Sequence, residues 1–202
     1  MTNNSADNAV AFPPVDIVVV AHKSDEWFED VLISFAIQDY PDFKVRVLTT
    51  GEENEMRAFV SDHLPEAEVV SVESAHGYGR NLNSVLEDEA NAAFFLFCHH
   101  DVSLAPDALR LMVEESLRSN ASVVGPKIVN WDRPDELLEI GSSVDKLGYL
   151  IPRIEPGELD QEQHDAVSDV FVVSSTVALV RADLFKAISG FDEEMGMIGE
   201  DL

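Results

Sequence analysis

The sequence predicts an α/β fold built on a mostly parallel sheet, doubly wound with helices on its faces. Short apolar runs rich in β-branched residues alternate with segments of helical periodicity from residue 15 to residue 129. The run Phe94-Phe95-Leu96-Phe97-Cys98 is wholly apolar, as expected of a strand covered on both faces. It passes directly into His99-His100-Asp101, three groups able to bind a metal at the carboxyl end of a strand, where ligands gather in open α/β sheets. A carboxylate and imidazoles at that point suit a divalent cation carrying a phosphorylated ligand.

The elements follow in order. Residues 1–14 read as a flexible tail closed by Pro13-Pro14, and 15–202 as one domain. Val15 to Ala21 is the first strand. Ser24 is the expected N-cap of a helix whose inner positions are Trp27, Phe28, Val31, Leu32, Phe35 and Ala36, with Asp25 and Glu26 suiting its positive end. Tyr40-Pro41-Asp42 breaks it, Phe43 to Leu48 is strand two, and Thr49-Thr50-Gly51 is the exit loop. Met56, Phe59, Val60 and Leu64 mark a second helix stopped by Pro65, and Val69 to Val72 a third strand. Gly77-Tyr78-Gly79 reads as a turn before a helical face of Leu82, Val85, Leu86 and Ala90. After strand four, Pro106 suits the first turn of a helix facing inward through Leu109, Met112, Val113 and Leu117. Ser122 to Val129 and Val170 to Val180 read as strands and Ala182 to Ile188 as a short helix. The Pro- and Gly-punctuated stretch 130–168 reads as loop with one or two short strands. The final Gly199-Glu200-Asp201-Leu202 lacks a helix stop, which suggests a piece of a longer protein.

Composition narrows the partners. With 39 acidic and 13 basic residues, the formal net charge is −26. Such a surface repels nucleic acid and anionic lipid, and an anionic substrate would gain from a bridging cation or a local basic group. A highly solvated face is the plainer explanation of the charge. Cys98 is the lone cysteine, so no internal disulfide forms and a reducing compartment is expected. The polar first dozen residues carry no apolar signal core, and no apolar run approaches the roughly 20 residues that span a bilayer.

Several segments together resemble family 2 glycosyltransferases with the GT-A fold, over about Val15 to Leu202. They are Val18-Val19-Val20-Ala21-His22, Gln38-Asp39-Tyr40-Pro41, Gly77-Tyr78-Gly79-Arg80-Asn81-Leu82-Asn83 and Phe97-Cys98-His99-His100-Asp101-Val102. Val124-Gly125-Pro126-Lys127, Leu179-Val180-Arg181, Gly190-Phe191-Asp192-Glu193 and Gly199-Glu200-Asp201 complete the set. Each is weak alone; their order and spacing are specific. The Gly-Pro-Lys segment and Gly141 look most like the rhamnosyltransferase-type branch. The resemblance implies transfer of a sugar from a nucleotide-diphosphate sugar to a hydroxyl of a glycan or lipid-linked acceptor, with inversion and with Mn or Mg. It also implies synthesis of a cell-envelope polysaccharide or glycolipid, in the cytoplasm at the inner face of the plasma membrane, reached through a remainder of the protein.

Carried over by residue, Asp101 stands where the last Asp of the family's Asp-x-Asp element holds the metal. His99 stands at its first position, usually Asp or Asn, and His100 at its variable middle. An imidazole ligates Mn readily and shifts preference away from Mg. The bland alternatives are strand-end hydrogen bonds for the two histidines and a loop-capping role for Asp101. Glu200-Asp201 matches the element that carries the catalytic base. Asp201 is the candidate to take the acceptor hydroxyl's proton, with Glu200 second. The family's following helix, and a downstream His that often completes the metal shell, are absent, so a fragment ending here is expected to be inactive.

Around the nucleotide the resemblance places Ala21, His22 and Lys23 at strand one, Thr49 and Gly51 after strand two, and Arg80 and Asn81 opening the third helix. Thr49-Thr50 replaces the family's usual base-binding Asp, which leaves the base undefined. Lys23 reads equally as an exposed lysine, and Arg80-Asn81 as an ordinary helix start. A nicotinamide-binding Rossmann enzyme is a poor rival, because Gly77-Tyr78-Gly79 follows strand three and Leu82 takes the third glycine position. A sugar-nucleotide-forming nucleotidyltransferase needs a glycine-rich loop after strand one, and Ala21-His22-Lys23-Ser24 has none. A catalytically inactive GT-A-like domain that binds nucleotide sugars or glycans stays open.

Overall fold

A computed structural model of the chain describes residues 12–73, 77–84 and 91–193. Its elements are β1 (Val15–Ala21), α1 (Glu26–Ala36), β2 (Phe43–Thr49), α2 (Glu53–His63), β3 (Glu68–Ser71), α3 (Tyr78–Leu82), β4 (Phe94–His99) and α4 (Ala108–Ser119). They continue with β5 (Val123–Val124), β6 (Ile128–Val129), β7 (Leu137–Glu139), β8 (Ser142–Val144), β9 (Leu150–Pro152), β10 (Val177–Arg181) and α5 (Ala182–Ala187). Six strands form the main sheet in the order β3-β2-β1-β4-β10-β5. β1 is parallel to β2 and β4, and β2 to β3, while β10 runs antiparallel between β4 and β5.

The pleat sorts the core into two layers. Ile17, Val19, Val47, Leu96 and Cys98 pack against Phe28, Leu32 and Phe35 of α1 and Leu109 and Met112 of α4. Val18, Val20, Leu48, Phe95 and Phe97 face Leu82 of α3 and Phe185 of α5. Alternation along each strand therefore feeds both faces, as a doubly wound sheet requires. A polar device sits inside the sheet: Arg46 Nη2 lies 3.0 Å from Asp16 Oδ2, with both residues buried. Pro13, just before β1, is held where Tyr40 Oη donates to its carbonyl at 2.6 Å. Burial, helped by Asp42, pushes the Tyr40 phenol up to about 12.

The structure corrects several local expectations. Asp25, not Ser24, caps α1, accepting from Phe28 N at 3.1 Å, because the Ser24 hydroxyl is spent on Glu55. Trp27 is 48% exposed rather than inward, and its ring meets Trp131 edge-on. On α4 the buried series is Leu109, Met112, Val113 and Ser116; Leu117, one step past that stripe, is 60% exposed. Ser122 to Val129 is two short strands in different sheets. Pro126 offers no ladder donor, and a Cβ on Gly125 would lie 2.5 Å from Val173. In the stretch 170–180 the ladder begins only at Val177, since the Ser174 hydroxyl bonds the Thr176 hydroxyl and backbone N–H and turns the chain first. Gly77-Tyr78-Gly79 opens α3 rather than forming a separate turn, and Val85, Leu86 and Ala90 lie outside the described residues.

Candidate functional site

Parallel pairing of β2, β1 and β4 brings three strand exits to one edge of the sheet. Ala21 is in register with Thr49, and Val20 with His99. The loops beyond are tied together. Thr50 N donates to the Ala21 carbonyl at 3.2 Å, the His22 Nδ1 and Thr50 Oγ1 atoms are hydrogen-bonded, and the His22 and His100 rings stand 6.3 Å apart, nearly perpendicular. Gly51 is required by this closeness: a Cβ there would sit 2.2 Å from the His22 carbonyl oxygen. Ala21, His22, Thr49 and Gly51 therefore share one small region with the His99-His100-Asp101 exit.

Within that region the side chains take different roles. Thr49 is buried and its Oγ1 accepts from Gly51 N at 3.2 Å, so it shapes the turn, while Thr50 is the one that meets His22. The period of two that puts Phe95 and Phe97 on the α3 side also puts His99 there, and its ring lies edge-on to Tyr78 at 4.7 Å. His99 Nε2 is enclosed. Asp101, past the strand, is exposed. Cys98 just inside the exit is fully buried; burial, and then the charge of Asp101, pushes its thiol far up, leaving it an inert packing group.

Arg80 on the exposed side of α3 lies 3.4 Å from Glu193, and Asn81 is buried beneath it. Lys23 pairs with Asp25 at 3.6 Å. Asn83 exchanges two hydrogen bonds with the backbone of Phe191 (Nδ2 to O, 2.9 Å; Oδ1 from N, 2.8 Å), which fixes the Gly190-Phe191-Asp192 turn to α3. Glu200 and Asp201 lie outside the described residues. Lys127 of the Gly-Pro-Lys segment is spent on Asp160 and Asp165, at 2.6 and 2.5 Å, and these hydrogen bonds raise its pKa.

Among the described residues no three carboxylate, imidazole or thiol groups converge as a metal cage. The β4 exit supplies one exposed carboxylate, Asp101, with His100 beside it. That fits a cation drawing most of its ligands from a diphosphate and water, the usual habit of Mg and similar hard ions.

One supporting network was missed by the sequence reading. Gln38 is buried at the end of α1. Its Nε2 donates to the Ala105 and Ser34 carbonyls at 2.8 and 3.0 Å, and its Oε1 accepts from Leu109 N at 3.0 Å. Ser34 Oγ accepts from Leu104 N at 3.1 Å, and Asp39 N donates to the Pro106 carbonyl. Together they hold the segment that leaves Asp101 and starts α4. Two polar residues four apart beside an apolar helical stripe were the available signal.

The sequence profile described as Glycosyltransferase like family 2 matches residues 13–202, and the chain belongs to that family. No curated protein matches it. Solved structures share its fold. A 1–349 portion of S. aureus TarS, solved with UDP, is 20% identical with a TM-score of 0.64, covering 93% of this chain and 52% of that one. The mannosyltransferase PcManGT from Pyrobaculum calidifontis, in complex with GDP-Man and Mn2+, is 16% identical with a TM-score of 0.62, covering 95% and 50%. The same TarS portion was also solved with UDP-GlcNAc, at 19% identity and a TM-score of 0.60, covering 89% and 48%. The chain spans about half the length of these structures. No helix among the described residues is long and apolar enough to cross a membrane.

Proposed function

We propose that this chain carries the donor site of an inverting, metal-dependent glycosyltransferase that moves a sugar from a nucleotide diphosphate to a glycan or lipid-linked hydroxyl. The observation that carries this reading is the convergence of the β1, β2 and β4 exits at one sheet edge, in a member of the glycosyltransferase family. The neighbours solved with UDP, UDP-GlcNAc or GDP-Man and Mn2+ support a nucleotide-sugar donor. The Gly125-Pro126-Lys127 segment and Gly141 support a rhamnosyltransferase-like branch, and the lone cysteine, Cys98, supports a reducing, cytoplasmic site; envelope-polysaccharide synthesis rests on the family resemblance.

In this reading Asp101 holds the cation, with His99 of the same exit as the second candidate ligand. Mn or Mg bound there would neutralise charge on the departing diphosphate as a Lewis acid. The His22 loop and the Thr50-Gly51 backbone border the nucleotide, and Arg80 at α3 offers a donor to it once released from Glu193. Asp201, with Glu200 second, takes the acceptor's proton from the face opposite the leaving group.

Titration calorimetry with UDP-, GDP- and dTDP-sugars in Mn or Mg tests this. Wild-type protein should bind at least one donor in a metal-dependent way, and Asp101→Ala should lose the metal-dependent part while keeping its melting temperature. Unchanged affinity in the variant would reject the metal assignment. Donor binding without transfer by a protein that includes the acceptor region would favour an inactive GT-A-like binding domain.

A further inference from the structure

The chain has two tryptophans, Trp27 and Trp131, and the fold brings both to one surface. Their rings stand 5.2 Å apart at 86°, yet they remain 48% and 38% exposed. An edge-to-face pair covers one face of one ring, so broad apolar ring faces are left to solvent. Trp27 is in the first turn of α1, which follows in sequence the β1 exit that carries His22.

The loop that carries Trp131 is braced on both sides of it. Asn130 Oδ1 accepts from the N–H groups of Asp132 and Arg133 at 2.9 and 3.1 Å, and Asn130 N donates to the Glu136 carbonyl at 2.8 Å. A ring held out on a braced loop keeps its ordering cost low when a ligand arrives. Nearby cations are already engaged, Lys23 by Asp25 and Arg133 by Glu136, and Glu26 and Asp132 flank the pair. With a net charge of −26, the patch repels an anionic ligand and suits a neutral one with apolar C–H faces and hydroxyl edges.

We propose that Trp27 and Trp131 form a stacking platform for a neutral saccharide, the acceptor side of the site. This rests on the glycosyltransferase reading above, and it narrows the acceptor to uncharged glycans. Because both tryptophans belong to the platform, intrinsic tryptophan emission reports directly on it, and saccharide titrations are run without nucleotide. The test titrates the chain with neutral gluco-, manno- and N-acetylglucosamine tetraoses and with an anionic uronic-acid tetraose, while calorimetry follows UDP and GDP with Mn.

At least one neutral tetraose should change the emission saturably and the uronate should not. Trp27→Ala and Trp131→Ala should each weaken binding about tenfold, as loss of one stacking ring predicts, with nucleotide affinity unchanged. Trp27→Phe, which keeps a ring, should retain most of it. Nucleotide binding with no response to any neutral tetraose would overturn the platform and leave the donor reading standing. Tetraose binding without nucleotide binding would keep the saccharide platform but overturn the donor reading, and with it the platform's role on the acceptor side. Should an alanine variant fail to fold, the wild-type titration alone decides.

Discussion

Replacing Gln38 by alanine probes how the fold positions Asp101. The residue is 9% exposed and its side chain makes three hydrogen bonds, one to the segment between Asp101 and α4 and one to the first turn of α4. Alanine strands the Leu109 N–H and the Ser34 carbonyl, both in buried positions, and also takes the donor from the more exposed Ala105 carbonyl. Each unsatisfied buried group costs about 1–3 kcal/mol, so a loss of about 3 kcal/mol is expected. For a chain of this size that lowers Tm by roughly 6–12 °C. Gln38→Glu keeps the acceptor for Leu109 N but sets a carboxylate oxygen against the Ser34 and Ala105 carbonyls, so at neutral pH it should cost at least as much as alanine. Because the same bonds hold the loop after Asp101, metal-dependent nucleotide affinity should also drop several-fold in the folded variant. Differential scanning calorimetry and binding titrations read the two effects. A melting temperature within about 1 °C of wild type, with unchanged affinity, would refute the reasoning.

Two further outcomes follow. Gly51→Ala forces a methyl against the His22 carbonyl, so the β1 and β2 exits must part; a stability loss of about 1–3 kcal/mol by urea denaturation and weaker nucleotide binding are expected, and a neutral result would show that the two loops are not coupled. Tyr40 sets an alkaline limit. Its phenol ionises near the ordinary value of about 10 when unfolded but near 12 when folded, so its contribution is complete below pH 10 and is lost as pH rises toward 12. Tyr40→Phe should flatten that slope in pH-dependent unfolding, and an identical slope would assign it to another group.

The layered fold was legible where hydrophobic period and length agreed. β1, β4 and α1 are long enough for the pattern to fix their type, and the strand exit at Asp101 follows from the end of an apolar run. The stretch 122–176 was harder because its strands are two or three residues long and Gly125-Pro126 and Ser174-Thr176 redirect the chain by local steric and hydrogen-bonding effects. Antiparallel β10 between β4 and β5 depends on a long connection whose path no local period reveals. The same limit hid Trp27 meeting Trp131, and Gln38 gripping Ala105, since each contact joins residues far apart in sequence. The family resemblance placed Thr49 beside the nucleotide without showing that its hydroxyl is turned inward and that half-buried Thr50 is the one that meets His22.

The most direct test of the account is where a cation settles. Crystals grown with Mn2+ and UDP or GDP, read by anomalous scattering, should show the metal bonded to an Asp101 carboxylate oxygen and to both phosphates. A nucleotide bound with its metal away from Asp101, or a manganese peak elsewhere with this edge of the sheet vacant, would contradict it.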